Sequence, residues 1–408
     1  MCLHELKSFI AMKNHKKITA AYLTPRYKPF IGGPELSLQR IVDALSRKKK
    51  IDYLVITSHT DRYGNLLNNK KDKSTKRIIR INSPKDILLT ETSANFIEWY
   101  QTVSRQIVDK LTERANNIDL IYLNSSCFLQ FPDLVNKIFL LNKPVILKIV
   151  QTESFSYLEG TIKFLQDGNI SKLLYIHCIS RDIYKKAKEI GFKKEQIFFC
   201  PNPIDTKYFS LKKYRDRMML QKRFGFDNQD LIFVFSGRFA PQKNIDKIVK
   251  VIEKLGAADK KVKLLMIGEA IFPEMKLLVK KLKKKTSNTV WTGKLSNKKI
   301  IPLLKGADFF IMASKDEGLS NSLIEAMACG LCPVVPKHIS GMKDLIRDNI
   351  NGILYDVERM DLLIDRLSKI SPKQAETMRK RARKKVIDYC EIKRVEKMHI
   401  NFYKRILT

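Results

Sequence analysis

The residues able to do chemistry gather in three stretches. The longest is Phe309–Pro333, FFIMASKDEGLSNSLIEAMACGLCP. Phe309–Met312 reads as a strand, Glu317-Gly318 turns the chain, and a helix begins near Ser320–Ser322. A helix start offers unpaired N–H groups and a partial positive charge, a seat for a diphosphate. Gly318 lets an anion come close to the backbone. Glu317 lies beside that seat and can accept hydrogen bonds from sugar hydroxyls. Glu325, one turn into the helix, can accept two from a ribose diol. A carboxylate at each end of a bound diphosphate suits a nucleotide-sugar. The second stretch, Val234–Asn244 (VFSGRFAPQKN), ends a strand at Gly237 and supplies Arg238 and Lys243. Two cations at a strand's carboxyl end can neutralise a departing diphosphate, Arg with a fork and Lys with a point charge. In the third, Tyr22–Ser37, a strand ends in Thr24-Pro25 and Ile31-Gly32-Gly33-Pro34-Glu35 opens a helix. Paired glycines there expose N–H groups to phosphate or sugar.

Each stretch also has a plainer reading. Ser322-Leu-Ile-Glu325 fits a capping box, which would leave Glu325 only to cap its own helix. Glu317 reads equally as a solvated loop acid, Arg238 and Lys243 as surface cations, and Gly32-Gly33 as a flexible loop. Cys329-Gly-Leu-Cys332 closes a helix, where the negative helix end raises a thiol pKa and argues against redox chemistry. His177, on a strand, reads as a packed core residue, and Phe96, Trp99 and Tyr100 as packing on a helix. There is no G-x-G-x-x-G, no P-loop, no G-x-S-x-G and no Asp-x-Asp to hold a metal against a diphosphate.

Positioning these stretches takes strands that alternate with helices. Apolar runs recur at Ile18–Leu23, Tyr53–Thr57, Arg77–Ile81, Asp119–Leu123, Val145–Val150, Leu173–Ile179 and Ile197–Cys200. They recur again at Leu231–Phe235, Lys263–Ile267, Thr289–Trp291, Phe309–Met312, Pro333–Val335 and Gly352–Tyr355. Amphipathic stretches intervene, among them Glu35–Arg47, Ala94–Arg114, Arg181–Ile190, Ile245–Leu255, Asn297–Leu304 and Asn321–Ala328. This alternation predicts an α/β protein with parallel sheets covered on both faces. Pro201-Asn202-Pro203 marks a linker. The expected division is 1–204, 205–384, and a final helical segment 385–408 that neither sheet needs. Ligands of such sheets bind beyond the strands' carboxyl ends, in a cleft.

Composition agrees with a globular chain long enough for two domains. There are 408 residues, 44% hydrophobic, with a formal net charge of +35. No apolar run is long enough to span a membrane. The start, Met1–Ala20, lacks a signal peptide's apolar core, and seven scattered cysteines suit a reducing compartment, so the expected location is the cytoplasm. Lys-rich usage throughout explains some of the charge. Two dense patches, Met275–Lys285 and Met378–Lys385, suit peripheral contact with an anionic membrane on its inner face. Nucleic acid is not expected, since no recognised module is present.

Taken together, Gly32-Gly33, G-R-x-x-x-x-K-N at Gly237–Asn244, and E-G-L-S-N-S-L-x-E-A-M-A-x-G from Glu317 resemble the retaining glycosyltransferases of family 4. VKLLMIG at Val262–Gly268 and VWTG at Val290–Gly293 fall where that family has intermediate strands. The resemblance spans nearly the whole chain and is strongest over Leu231–Asp356. It implies the GT-B fold: two Rossmann-like doubly wound domains facing across a cleft, with a last helix crossing back to the first. It implies transfer of a hexosyl group from a nucleotide-sugar co-substrate to a cell-envelope glycan or glycolipid, without cofactor or metal. It gives Glu325 the ribose, Glu317 the donor sugar, and Gly318, Leu319, Ser320 and Asn321 backbone contacts to sugar or diphosphate. Arg238 and Lys243 would stabilise the leaving group. Gly32 and Gly33 would close over the phosphates, and Gly268 and Lys294 would meet the base. Many members carry a His after the strand corresponding to Val145–Val150. Here Gln151-Thr152-Glu153 follows it, leaving these residues for the acceptor side and no named base. A non-catalytic GT-B-like protein binding an anionic polymer or nucleic acid is the alternative, and an epimerase would need acid and base residues not found here.

Overall fold

The computed structural model describes residues 17–29, 32–47, 51–59, 75–81, 93–158, 160–161, 172–211, 214–258 and 261–408. Residues 1–16, Ile31 and the Phe96 side chain, each read above, lie outside this set. Two compact units divide the chain. One holds the described residues up to Ile179, Ile183–Cys200 and Lys393–Thr408; the other holds Ser180–Asp182 and Pro201–Ile392.

The first unit is built on a parallel sheet of β1 (Ile18–Leu23), β2 (Ile51–Ser58), β3 (Ile78–Ile81), β4 (Leu120–Leu123), β5 (Val145–Ile149), β6 (Leu174–Cys178) and β7 (Ile197–Phe199). Their order is β3-β2-β1-β4-β5-β6-β7. The second unit has β8 (Leu231–Ser236), β9 (Val262–Ile267), β10 (Thr289–Gly293), β11 (Phe309–Ile311), β12 (Cys332–Pro336) and β13 (Ile353–Tyr355), in the order β10-β9-β8-β11-β12-β13. All pairings are parallel. Each sheet starts at a central strand, builds outward, then reverses, which is the doubly wound pattern. Burial on both faces explains why these strands read as continuous apolar runs, such as Leu120–Leu123, rather than as alternation.

The last segment is two helices, Pro372–Cys390 and Ile392–Leu407, broken at Glu391, whose ψ of 132 is extended. The break matters. Met378, Ala382, Val386 and Cys390 bury one face of the first helix. The second helix sends Val395, Ile400, Phe402 and Tyr403 into the core around β1 and β4 of the first unit. Phe402 stacks on Phe198 at 4.3 Å, and the Tyr403 hydroxyl meets that of Tyr22 at 3.1 Å. The segment joining the first unit therefore begins at Lys393, not at 385.

Candidate functional site

In the second unit the carboxyl ends of β8, β9, β10 and β11 lie side by side, and the loops that leave them carry the charges. Gly237 follows β8 and donates its N–H to Ile267 O at 3.0 Å. Gly268, at the end of β9, has φ 149, and a Cβ there would sit 1.9 Å from the Gly237 carbonyl oxygen. Only glycine permits this approach. Beyond it, Lys294 after β10 pairs with Glu269 at 3.0 Å. Arg238 is exposed.

Lys243 ends a short turn, Pro241–Lys243, and Asn244 follows in the left-handed region at φ 45. The Asn244 side chain donates to Ala313 O at 2.9 Å, and Lys315 N–H donates to Gln242 O at 2.8 Å. These two bonds stitch the loop after β8 to the loop after β11. Across the seam the Lys243 ammonium forms an ion pair with Glu317. The side chains remain 20% and 17% exposed, so the pair is shielded but reachable. Ser314 Oγ also donates to Glu317, at 3.4 Å.

The helix Asn321–Ala328 opens beside this pair. Ser320 caps it, accepting from Leu323 N–H at 3.5 Å and touching Ser322 Oγ at 3.1 Å. The capping box read at Ser322 does not form: Ser322 is already helical, and Glu325 lies in the second turn, past any capping role. Glu325 is buried. Two residues given no site role in the sequence hold the loop before this helix. Asn202 Nδ2 donates to Leu319 O at 2.9 Å, both residues being buried. A Cβ on Gly341 would lie 2.0 Å from Gly318 O. Asn202 is 117 positions from its partner, beyond any local signal.

At the other end of that helix Arg383 donates to Ala328 O and Arg379 Nε to Gly330 O at 2.8 Å. Cations suit the carbonyl end of a helix. Cys329 and Cys332 are buried, and burial is the first cause pushing each thiol up to about 12.

In the first unit Gly32 behaves differently from expectation. A Cβ there would lie 2.1 Å from Glu35 Oε2. The space freed by the glycine is filled by the Glu35 carboxylate, itself held by Arg26 at 2.7 Å. A phosphate at Gly32 would meet that carboxylate. Gly33 is exposed and begins the helix Gly33–Arg47. Behind it, Lys148 Nζ donates to Ser37 Oγ at 2.5 Å, and Ser37 donates to Pro34 O at 3.0 Å. Burial brings the Lys148 ammonium down to about 7, against partial support from Cys200 and Glu35. Beyond the end of β5, Gln151 and Glu153 are exposed and Thr152 Oγ1 donates to Glu153 at 3.2 Å.

His177 is a core residue, as read. Its Nε2 lies 2.8 Å from Cys200 O and its Nδ1 2.5 Å from the Tyr122 hydroxyl. Burial holds it well below the ordinary histidine range. His177, Cys200 and His399 bring ligand-type atoms within 4.8 Å, but both nitrogens of His177 are already committed, so the trio packs rather than chelates. Trp99 is also buried, edge-on to Tyr100 at 5.0 Å.

The two basic patches are less free than their sequence suggests. In the helix Pro273–Lys285, Leu278, Val279 and Leu282 pack on the second unit's core, and Met275 belongs to it. Leu277 alone of its leucines faces out, 69% exposed, among lysines. In Met378–Lys385, Met378 and Ala382 are buried and Arg379 and Arg383 turn inward to carbonyls.

Two doubly wound parallel sheets, with charged loops at the strand ends of the second, define the GT-B class of glycosyltransferase fold. Solved structures of that class superpose over almost the whole chain. Anabaena Alr3699/HepE in complex with UDP and glucose has a TM-score of 0.70 at 17% identity, covering 94% of this chain and 98% of that one. Sucrose-phosphate synthase from Thermosynechococcus elongatus reaches 0.72 at 16% identity, covering 96% and 99%. More specifically, residues 216–385 match the family Glycosyl transferases group 1, a segment that contains Arg238, Lys243, Glu317 and Glu325. The Escherichia coli UDP-Gal:alpha-D-GlcNAc-diphosphoundecaprenol alpha-1,3-galactosyltransferase is 25% identical over 237 residues, 56% of this chain and 59% of that protein. An uncharacterized glycosyltransferase of Methanocaldococcus jannaschii is 33% identical over 227 residues, 52% of this chain and 55% of that protein. The chain spans about half the length of the curated relatives it matches. No helix among the described residues is long and apolar enough to cross a membrane.

Proposed function

We propose that this chain is a retaining glycosyltransferase that moves a hexosyl group from a nucleotide-sugar to a glycan or glycolipid of the cell envelope, without a metal. The observation that carries the reading is the Lys243–Glu317 pair, formed from two strand-end loops and open enough to exchange partners. A bound diphosphate draws the Lys243 ammonium to itself, and Arg238 on the same loop joins it. Glu317, released, accepts from donor sugar hydroxyls. Glu325 holds the ribose, Gly318–Asn321 offer backbone N–H groups, and Gly268 and Lys294 border the base. The bond from the anomeric carbon to the phosphate oxygen breaks, and the nucleoside diphosphate leaves with the electron pair. The acceptor oxygen bonds to that carbon on the same face and its proton passes to the departing phosphate. These two cations supply the main stabilisation of the leaving group. Gln151, Thr152 and Glu153 serve the acceptor. Gly33 offers its N–H to phosphate, and Gly32 does so only if Glu35 moves aside.

The Escherichia coli relative acts on a diphosphoundecaprenol-linked sugar, which favours a lipid-linked acceptor here. The lysines of Pro273–Lys285 then suit a cytoplasmic membrane surface, by charge rather than insertion, since the apolar side of that helix is in the core. The test is hydrolysis of UDP-, GDP- and ADP-hexoses by wild type, Lys243→Ala and Glu325→Ala. Turnover of one donor that falls sharply in both variants supports the reading; variants equal to wild type refute the site. Equal flotation with neutral and anionic liposomes removes the membrane clause.

A further inference from the structure

We infer that Asn202 is a positioning residue for the donor loop: its carboxamide fixes the Leu319–Ser320 peptide and so the direction of the Ser320 N–H. The inference rests on the proposed function for what that N–H meets, but not for the anchor itself. In a trans peptide the C=O and N–H of one plane point in opposite directions. Holding Leu319 O on Asn202 therefore turns the Ser320 N–H away from Asn202.

The anchor is itself held. Asn202 lies between Pro201 and Pro203, and a residue preceding proline is restricted to extended backbone. Two residues on, Ile204 N–H donates to Cys390 O at 2.9 Å and Ile204 O accepts from Ile392 N–H at 2.8 Å. The carboxamide thus comes from a segment with few alternative conformations. On the other side, Gly318 O packs against Gly341 in the space a side chain there would take. The loop between Glu317 and the Ser320 cap is clasped from two directions, one polar and one steric. Asn202 would serve catalysis through that loop, without touching the reacting atoms.

The test pairs a ligand-free measurement with a ligand-dependent one, on the full chain. Asn202→Ala removes the donor. Asn202→Asp keeps the shape but sets a carboxylate against a carbonyl oxygen. Amide hydrogen exchange over Leu319–Asn321 should accelerate in both variants. Affinity for UDP, GDP or ADP, whichever binds the wild type, should fall about tenfold, or ~1.4 kcal/mol. With the matching sugar nucleotide, KM should rise by a similar factor while kcat stays within about threefold. An Asn202→Asp protein that matches wild type in exchange and affinity overturns the inference, because it would leave only a packing role. Faster exchange with unchanged affinity overturns the positioning role. If the wild type binds none of the three nucleotides, the proposed function falls, and exchange alone then decides whether Asn202 holds the loop: faster exchange in both variants keeps the anchor, unchanged exchange removes it.

Discussion

Both units run the same order over six strands, the first adding β7 at its edge, yet they treat the cations near their strands in opposite ways. In the second unit Lys243 sits in a loop beyond β8, a fifth exposed, paired with a carboxylate from the neighbouring strand end. In the first, Lys148 lies within β5, fully enclosed, against a serine hydroxyl. Burial disfavours the charged form, and a hydroxyl repays less of that cost than a carboxylate does. The loop lysine is fit to meet an anion, whereas the strand lysine is a structural strut under the turn at Gly33. Position in the strand, rather than residue type, divides the two roles.

The comparison can be broken in four ways. The largest effect is expected from Lys243→Ala. Turnover of the accepted sugar nucleotide should fall about 10²-fold, with the thermal midpoint little changed. A full-rate variant would make Lys243 a surface cation after all. Next, Glu325→Ala should weaken nucleoside diphosphate binding about tenfold, read by calorimetry, as expected for losing a charged acceptor.

Lys148→Met should move in the other direction, leaving Lys243 chemistry intact while stabilising the first unit by about 1 kcal/mol at neutral pH. Trp99 and Trp291 are the two tryptophans, one in each unit, so fluorescence in a Trp291→Phe background follows the first unit alone. The fourth prediction concerns pH. The Lys148 amine falls from 10.5 unfolded to about 7 folded, so between those values the unfolded chain binds the extra proton and stability rises with pH. Lys148→Met should flatten that slope. A slope of the same sign should persist in the variant at acid pH, carried by the buried histidines His177 and His399. Burial lowers His399 from 6.5 to about 3, so stability is lost as pH falls through that window. A slope above pH 7 that survives Lys148→Met would show that another group carries it.

Much of this was legible in the sequence because a parallel sheet buries its strands on both faces. Every apolar run from Ile18–Leu23 to Gly352–Tyr355 became a strand, with ends shifted by a residue or two. The loop charges were legible through local spacing: Lys243 and Glu317 each follow a strand and a turn. What escaped was whatever depends on distant partners. Ser320 and Ser322 are both good caps, and the burial of Leu323, Ile324, Ala326 and Met327 selects the helix start that uses Ser320. Glu35 has no role in the sequence beyond opening its helix, but Arg26 and the gap over Gly32 draw it inward. Arg379 and Arg383 looked like part of a surface run because nothing nearby in sequence shows the helix end they complete.

The helix Ile392–Leu407 has a consequence for how the molecule is made. Residues that close the core around β1 leave the ribosome after the whole second unit. Growing chains generally fold as they emerge, the earlier domain first. Here the earlier unit must wait with Tyr22, Tyr122 and Phe198 uncovered until Phe402 and Tyr403 arrive. A stop codon or bulky fusion near residue 393 would therefore damage the half of the protein translated first.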